Sequence, residues 1–318
     1  MPKTNKLAPP SDGPLAPRPR PGISVFFPAY NDAGTIASMV LAALHTCSTL
    51  TDDYEVIVVN DGSADYTGEV LADLESKYDH VRVITHPVNR GYGGALRTGF
   101  KSATKELVFY TDGDAQYDAH ELAMLLPAMR PEVDIVQGYK IARHDPIFRI
   151  IIGKTYHWIV KLSFGLHVRD TDCDFRLIRK SALERVDLKS DTGTICVELV
   201  KKLQESGAVF AEVPVHHYHR AYGRSQFFNF PRLWATGVHL LQIWAELVLA
   251  PRLTGRKPVK TRKPSMPVDE RNPSLIYAGV AVPALGAEGA MKTAPEPAAA
   301  VEIQNPKSKI QTTQETAP

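Results

Sequence analysis

Two carboxylates separated by a single glycine, Asp112 and Asp114, stand with Gln116 in TDGDAQ (111–116), directly after the apolar run ELVFY (106–110). Such a pair on a loop suits a hard divalent cation that also touches a diphosphate, because Mg²⁺ takes one or two carboxylates and completes its shell with phosphate oxygens and water. An ordinary Asp-Gly turn is the competing reading of the same letters. The company the pair keeps favours the cation. Asn60-Asp61-Gly62-Ser63 ends a second apolar run (55–59), and Pro28-Ala29-Tyr30-Asn31-Asp32 ends a third (23–28). A phenol ring for stacking, and carboxylates to accept hydrogen bonds from a base or from ribose hydroxyls, are what a nucleoside requires.

The elements that must position these groups follow from periodicity. The runs 23–28, 55–59, 81–84, 106–110 and 134–137 are short and apolar on both faces, and most alternate with segments of helical spacing such as 35–50, where Ile36, Met39, Val40, Ala43 and Leu44 fall on one side. This is the pattern of a buried, mainly parallel sheet flanked by helices. Open α/β sheets bind ligands beyond the carboxyl ends of their strands, which is where the polar motifs lie. In NRGYGG (89–94) the glycines do not make the G-x-G-x-x-G dinucleotide fingerprint, and they follow the third strand. A tight turn that places Arg90 and packs the following helix is the expectation there.

Composition bounds the rest. Of 24 prolines in 318 residues, seven lie in 1–22 and ten in 251–318, so the working globule is expected over 23–250. The first segment carries four Lys/Arg against one acid and the last carries ten against six, which leaves the globule near −5 although the chain as a whole is +2. The basic surplus therefore belongs to the ends and does not point to nucleic acid. Three widely spaced cysteines, Cys47, Cys173 and Cys196, indicate neither a disulfide framework nor a metal knuckle. His216, His217 and His219 lack a Cys or carboxylate at zinc-ligand spacing. The Pro-rich N-terminus has no apolar core of a secretory signal, so a cytoplasmic globule is expected. Segments 148–166 and 227–249 are helical and apolar but interrupted by charge, too broken for membrane spans. They read either as packing helices or as interfacial ones. All three tryptophans fall in them, and 252–263 carries six basic residues and no acid, as suits an anionic membrane surface.

The ordered series PAYND (28–32), VVNDGS (58–63), NRGYGGALRTG (89–99) and TDGDAQ (111–116) resembles family 2 glycosyltransferases of the GT-A fold. VRDTDCDFRLIRKSAL (168–183) and VPVHHYHRAYGRSQ (213–226) are similar to the branch that glycosylates dolichyl or polyprenyl phosphate. The resemblance implies a GT-A domain over 23–226; composition sets beside it a disordered arm (1–22), an amphipathic helix (227–250) that either packs on the globule or lies in the interface, and a disordered basic tail (251–318). It implies that Pro28, Tyr30, Asp32, Val59, Asp61 and Arg90 hold the nucleotide-sugar together with Asp112, Gly113, Asp114, Lys140, Arg220 and Gln226. Asp112, Asp114 and Gln116 would hold Mg²⁺ or Mn²⁺, and Lys154 and Arg176 the acceptor phosphate. This chain departs from the family's pattern in having Asp32 for Glu, Lys140 and Lys154 for arginines, and Gln226 for a lysine. Lysine replaces a bidentate fork with a point charge, so Arg220 becomes the main phosphate contact.

The implied reaction is an inverting, metal-dependent hexose transfer from GDP-mannose or UDP-glucose to a polyprenyl phosphate at the cytoplasmic membrane face. A lipid phosphate is already anionic at neutral pH, its second pKa being near ~6, and needs no base. A saccharide or small polar acceptor would need one, for which Asp172 or Asp174 serves. A non-catalytic nucleotide-sugar-binding protein is the reading from another class, and the intact Asp112/Asp114 pair argues against it.

Overall fold

The computed structural model describes residues 20–141, 147–220, 222 and 230–255; within these, the side chains of 147–154, 156 and 230–233 are not described. In chain order the main elements are β1 (Ile23–Ala29), α1 (Ile36–Leu50), β2 (Tyr54–Asn60), α2 (Thr67–Lys77), β3 (Val81–Thr85), α3 (Gly91–Ser102), β4 (Leu107–Thr111), α4 (Leu122–Leu125), β5 (Ile135–Lys140) and α5 (Ile147–Phe164). There follow β6 (Phe175–Arg179), α6 (Lys180–Leu183), α7 (Ile195–Glu205), β7 (Phe210–Val215), α8 (Phe230–Trp244) and, beyond a π-helical turn, α9 (Ala250–Leu253).

The seven strands form one sheet in the order β3-β2-β1-β4-β6-β5-β7. Strands β1, β2, β3 and β4 run parallel, as do β5 and β7, while β6 is antiparallel to both of its neighbours. The expected mainly parallel α/β sheet is thus present. Strand β1 is buried at every position, as a central strand covered on both faces must be. One apolar layer, including Val25, Phe27, Val40, Val58 and Phe109, lies under α1 and α2. The other, including Phe26, Leu96, Tyr110, Val160 and Leu199, lies under α3, α5 and α7.

Register then decides what meets at the sheet's edge. Ala29 pairs with Asn60 and Phe26 with Tyr110, so β1, β2 and β4 end side by side and deliver 28–32, 60–63 and 111–114 to one place. Helix α3 begins at Gly91, inside the glycine run expected to form only the turn before it. Gly93 explains this: its amide donates to the Asp191 carbonyl at 2.9 Å, and a Cβ there would collide with the backbone at Ser190. The glycines serve packing, as expected. Strand β6 escapes periodicity because its sequence, FRLIR, hides a buried arginine, Arg176, that breaks the apolar run.

Helices α5 and α8 pack together through Trp244, whose indole N–H donates to the Ser163 carbonyl at 3.0 Å. Val160 and Phe164 on α5 and Leu240 and Ile243 on α8 hold the pair to the core. Among the described residues no helix is long and apolar enough to cross a membrane.

Candidate active site

The three strand ends are sewn to one another by short side chains. The Asn31 amide donates to Ser63 Oγ at 3.0 Å, the Ala64 amide to Asn31 Oδ1 at 2.8 Å, and the Asp32 amide to Thr67 Oγ1 at 3.0 Å. Thr35 Oγ1 donates to the Gly113 carbonyl at 2.8 Å, tying the β1 loop to the β4 loop. A Cβ at Gly113 would sit 3.1 Å from the Pro28 carbonyl, so glycine permits this approach. Among the described residues the only non-glycine positions with positive φ are Asn31 and Ala115, both at 59° and both in these loops. Backbone strain of this kind persists where the surroundings over-determine the conformation.

Carboxylates gather on this edge. Asp112 Oδ1 accepts from the Tyr92 hydroxyl at 2.6 Å. Asp114, buried, accepts from the Gln116 amide at 3.0 Å and pairs with Arg220 Nη2 at 2.5 Å. Asp32 Oδ2 accepts from the Tyr30 amide at 3.0 Å. Burial, with the negative charges of Asp174 and Asp114, holds the Asp112 carboxyl well above the usual range despite the Tyr92 hydrogen bond. Burial likewise raises Asp114, opposed by Arg220. Asp32 is pushed up to about 6 by burial, against the Tyr30 amide, with Asp114 adding to the rise.

This donor set fits a divalent cation on two observations. Mutually repelling, partly desolvated carboxylates are the arrangement a bound cation relieves, and one of them, Asp114, already draws a guanidinium to 2.5 Å. Gln116 is less free than expected: its Nε2 donates to the Tyr218 carbonyl at 3.2 Å and its Oε1 lies 3.5 Å from Arg220 Nη2. It bridges the β4 loop to the segment that carries Arg220.

Beside this edge lies a second polar group, on the strand-β6 side. Asp174 Oδ1 accepts from Arg176 Nη1 at 2.6 Å and from Cys196 Sγ at 3.0 Å. Asp172 is pushed up to about 6 by burial and by Asp170, with Lys140 opposing. His157, Asp170 and Asp172 bring ligand-type atoms within 4.8 Å of one another. Lys140 Nζ donates to the Asp172 carbonyl at 2.8 Å. Sequence reasoning missed His157, Asp170 and Tyr92. Asp170, Asp172 and Asp174 do alternate before an apolar run, a signal that could have flagged the first of them, whereas no spacing joins His157 or Tyr92 to the site.

The fold gives the expected residues their positions, and for two of them, Arg176 and Val59, it limits what the side chain can offer. Pro28 is buried at the end of β1, and Tyr30 is exposed beside it. Asp61 is buried at the end of β2, and the exposed Arg90 side chain has no protein partner among the described residues. Arg176 was expected at the acceptor phosphate, but it is wholly buried, with Nε on Gln137 Oε1 (2.6 Å), Nη2 on the Thr171 carbonyl (2.7 Å) and Nη1 on Asp174 and the Tyr110 hydroxyl. Its donors are spent internally, so it organises Asp174 and offers nothing to a ligand. Val59 was expected to touch the nucleoside; its side chain is sealed in the apolar layer under α3, leaving only backbone for that purpose. Lys154 lies on α5 with its side chain outside the described residues, and Gln226 and residues 256–263 of the basic cluster lie outside them altogether. Cys47 and Cys173 are buried thiols, each pushed up to about 12 by burial, and so unreactive. His216 pairs with Glu121 at 2.5 Å.

The model of glycosyl transferase family 2 matches residues 24–187. The chain is 29% identical over 243 residues to glycosyltransferase AglD of Haloferax volcanii, a stretch covering 74% of this chain but 39% of that protein, so this chain spans well under half of its relative's length. Glucosyl-3-phosphoglycerate synthase from Mycobacterium tuberculosis, solved with Mn²⁺ and UDP-glucose, superposes with a TM-score of 0.54 at 17% identity, covering 71% of this chain and 80% of that one. A mannosyltransferase from Pyrobaculum calidifontis, solved with GDP-Man and Mn²⁺, gives 0.51 at 23% identity, covering 68% and 62%. At these identities the likeness to the solved structures is one of fold. The family match, by contrast, takes in β1, β2 and β4 with the three polar loops that they carry, and on that ground the chain belongs to glycosyl transferase family 2, in the GT-A fold.

Proposed function

We propose that the protein transfers a hexose, with inversion, from a nucleotide-sugar such as GDP-mannose or UDP-glucose to a polyprenyl phosphate at a membrane surface. The observation that carries the donor half is the convergence of Asp32, Asp112 and Asp114 with Arg220 at the ends of β1 and β4. Tyr30 and Asp61 would hold the nucleoside. Mg²⁺ or Mn²⁺, which the two solved relatives bind as Mn²⁺ with their donors, would be held by Asp112 and Asp114 and would neutralise the departing diphosphate. The Tyr92 hydroxyl orients Asp112 for this, and Arg220, poised on Asp114, supplies a second positive charge to the diphosphate.

An anionic phosphate oxygen of the acceptor bonds to the anomeric carbon as the bond to the diphosphate breaks, and the electron pair leaves with the nucleotide. No proton moves at the nucleophile. Lys140, beside Asp172, and Lys154 on α5 are the cations proposed for the acceptor phosphate.

The lipid acceptor is supported by the outer face of the α5/α8 pair. Trp158, Ile159 and Leu162 on α5 are 58%, 56% and 74% exposed, and Trp234 and Leu241 on α8 are 72% and 67% exposed. Lys161 Nζ lies 6.0 Å from the Trp158 ring centre, and the exposed Arg252 follows α8. Aromatic and aliphatic side chains with adjacent cations suit the headgroup boundary. On this reading 23–226 is the catalytic unit and 227–250 a helix lying in the interface.

A hydroxyl acceptor is the second reading, and the state of Asp172 favours it: a carboxylate pushed up to about 6, close to His157, is tuned for a general base. Incubation with labelled GDP-mannose or UDP-glucose and Mg²⁺, followed by organic extraction, separates the two. Label that reaches the organic phase only when polyprenyl phosphate is added supports the lipid acceptor. Label in a water-soluble product supports the hydroxyl acceptor, and no transfer from either donor refutes both.

A further inference from the structure

Asp61 is held at the sheet's edge by the neighbouring strand-to-helix loop. Its Oδ1 accepts from His86 Nδ1 at 2.6 Å and from the Arg90 amide at 2.8 Å. Its carbonyl accepts from Asn89 Nδ2 at 3.1 Å, and its amide donates to the Ala29 carbonyl at 2.9 Å. Gly62, at φ 68°, lets the two loops close on each other, since a Cβ there would lie 2.8 Å from the Asn89 nitrogen. His86 is itself buried and fixed at both ends: its backbone amide donates to the Asn60 carbonyl at 2.9 Å, and its Nε2 lies 2.9 Å from Thr98 Oγ1 on α3.

The chemistry of the pair is one-sided. A carboxylate only accepts, so His86 Nδ1 donates whichever protonation state the ring takes. Two donors on Oδ1 occupy both of its lone pairs. Among the described residues Oδ2 makes no hydrogen bond, yet Thr111 Oγ1 is the one sealed side-chain atom there without a partner, so Oδ2 keeps access to solvent. Asp61 therefore presents a ligand with a single acceptor atom.

Uracil offers one imide N–H between two carbonyls and is satisfied by one acceptor. Guanine offers N1–H and N2–H side by side, and one of these would be buried unpaired against a half-occupied carboxylate, which is costly. We infer that His86 is a positioning residue that saturates Oδ1 of Asp61 and thereby selects a uracil-type base over guanine in the nucleotide-sugar. This inference rests on the donor reading above and narrows it to uridine nucleotides.

Calorimetric titration of the full chain with UDP and with GDP, each with Mg²⁺, tests it. The wild type is expected to bind UDP at least about tenfold more tightly than GDP. His86→Leu should weaken UDP about tenfold and GDP much less, collapsing the preference, with the loss appearing in KM for the UDP-sugar and not in kcat. His86→Asn, whose amide can donate to the same oxygen, should keep the preference within about threefold. A purely structural His86 would lower the melting temperature in the Leu variant without moving the UDP/GDP ratio. Equal or tighter binding of GDP by the wild type overturns the inference and leaves the donor reading standing, as does an unchanged ratio in His86→Leu. If the Leu variant does not fold, the wild-type ratio and His86→Asn decide, and loss of the preference in Asn overturns the inference. Failure of the wild type to bind either nucleotide overturns the donor reading and the inference with it.

Discussion

Replacing Asp32 by asparagine should stabilise the ligand-free protein at alkaline pH while weakening its hold on the donor. The Asp32 carboxyl is raised from 3.8 to about 6, chiefly by burial. Because the folded value lies above the unfolded one, the folded state binds the proton more tightly. The stability linked to this group is fully present below pH 3.8 and is lost as pH rises through 6. At ~1.4 kcal/mol per pKa unit the full loss is about 3 kcal/mol by pH 8. Asparagine never ionises, and its carbonyl oxygen can still accept from the Tyr30 amide, which is 3.0 Å from Oδ2 in the wild type. Allowing for solvent near a partly open group, the expected gain at pH 8 is about 1–2 kcal/mol, or roughly 2–6 °C in melting temperature for a domain of this size. At pH 5, about midway between the two values, roughly half of the loss has already accrued, so the gain should shrink to about half its size at pH 8. Thermal melts of both proteins at pH 5 and pH 8, without nucleotide or metal, measure this. A variant that is less stable at pH 8, or a shift of equal size at both pH values, refutes the reasoning.

Three further outcomes are expected. Asp114→Ala removes the carboxylate that both Arg220 and the cation would share, so transfer should fall to background while the melting temperature holds or rises; measurable transfer sinks the metal assignment. Arg176→Met leaves the part-buried Asp174 without its counter-ion and strips Gln137 and the Thr171 carbonyl of their buried donor, and should cost about 3–5 kcal/mol in urea unfolding, with part of the loss recovered by adding Asp174→Asn. Gly99→Ala, on α3, drives a methyl into the Phe26 ring and should cost about 1–3 kcal/mol by the same measurement, with no change in nucleotide affinity.

The sequence alone determined the architecture and the polar edge of the sheet. Apolar runs with no polar face can only be strands covered on both sides, and the polar letters that end them must therefore collect at one rim; 28–32, 60–63 and 111–114 do so. What only the tertiary structure decided is which polar side chains are spent on the protein and which remain for a ligand. Arg176 and Asp174 look alike in sequence as candidates, yet a lone buried guanidinium must find internal acceptors, and it does so on Asp174, Gln137 and Thr171. Val59 sits one residue before the Asn60–Asp61 pair, but strand alternation turns its side chain into the core. His86, Tyr92 and His157 belong to no motif, because their partners Asp61, Asp112 and Asp172 are brought beside them by sheet order and helix packing, which local spacing does not encode.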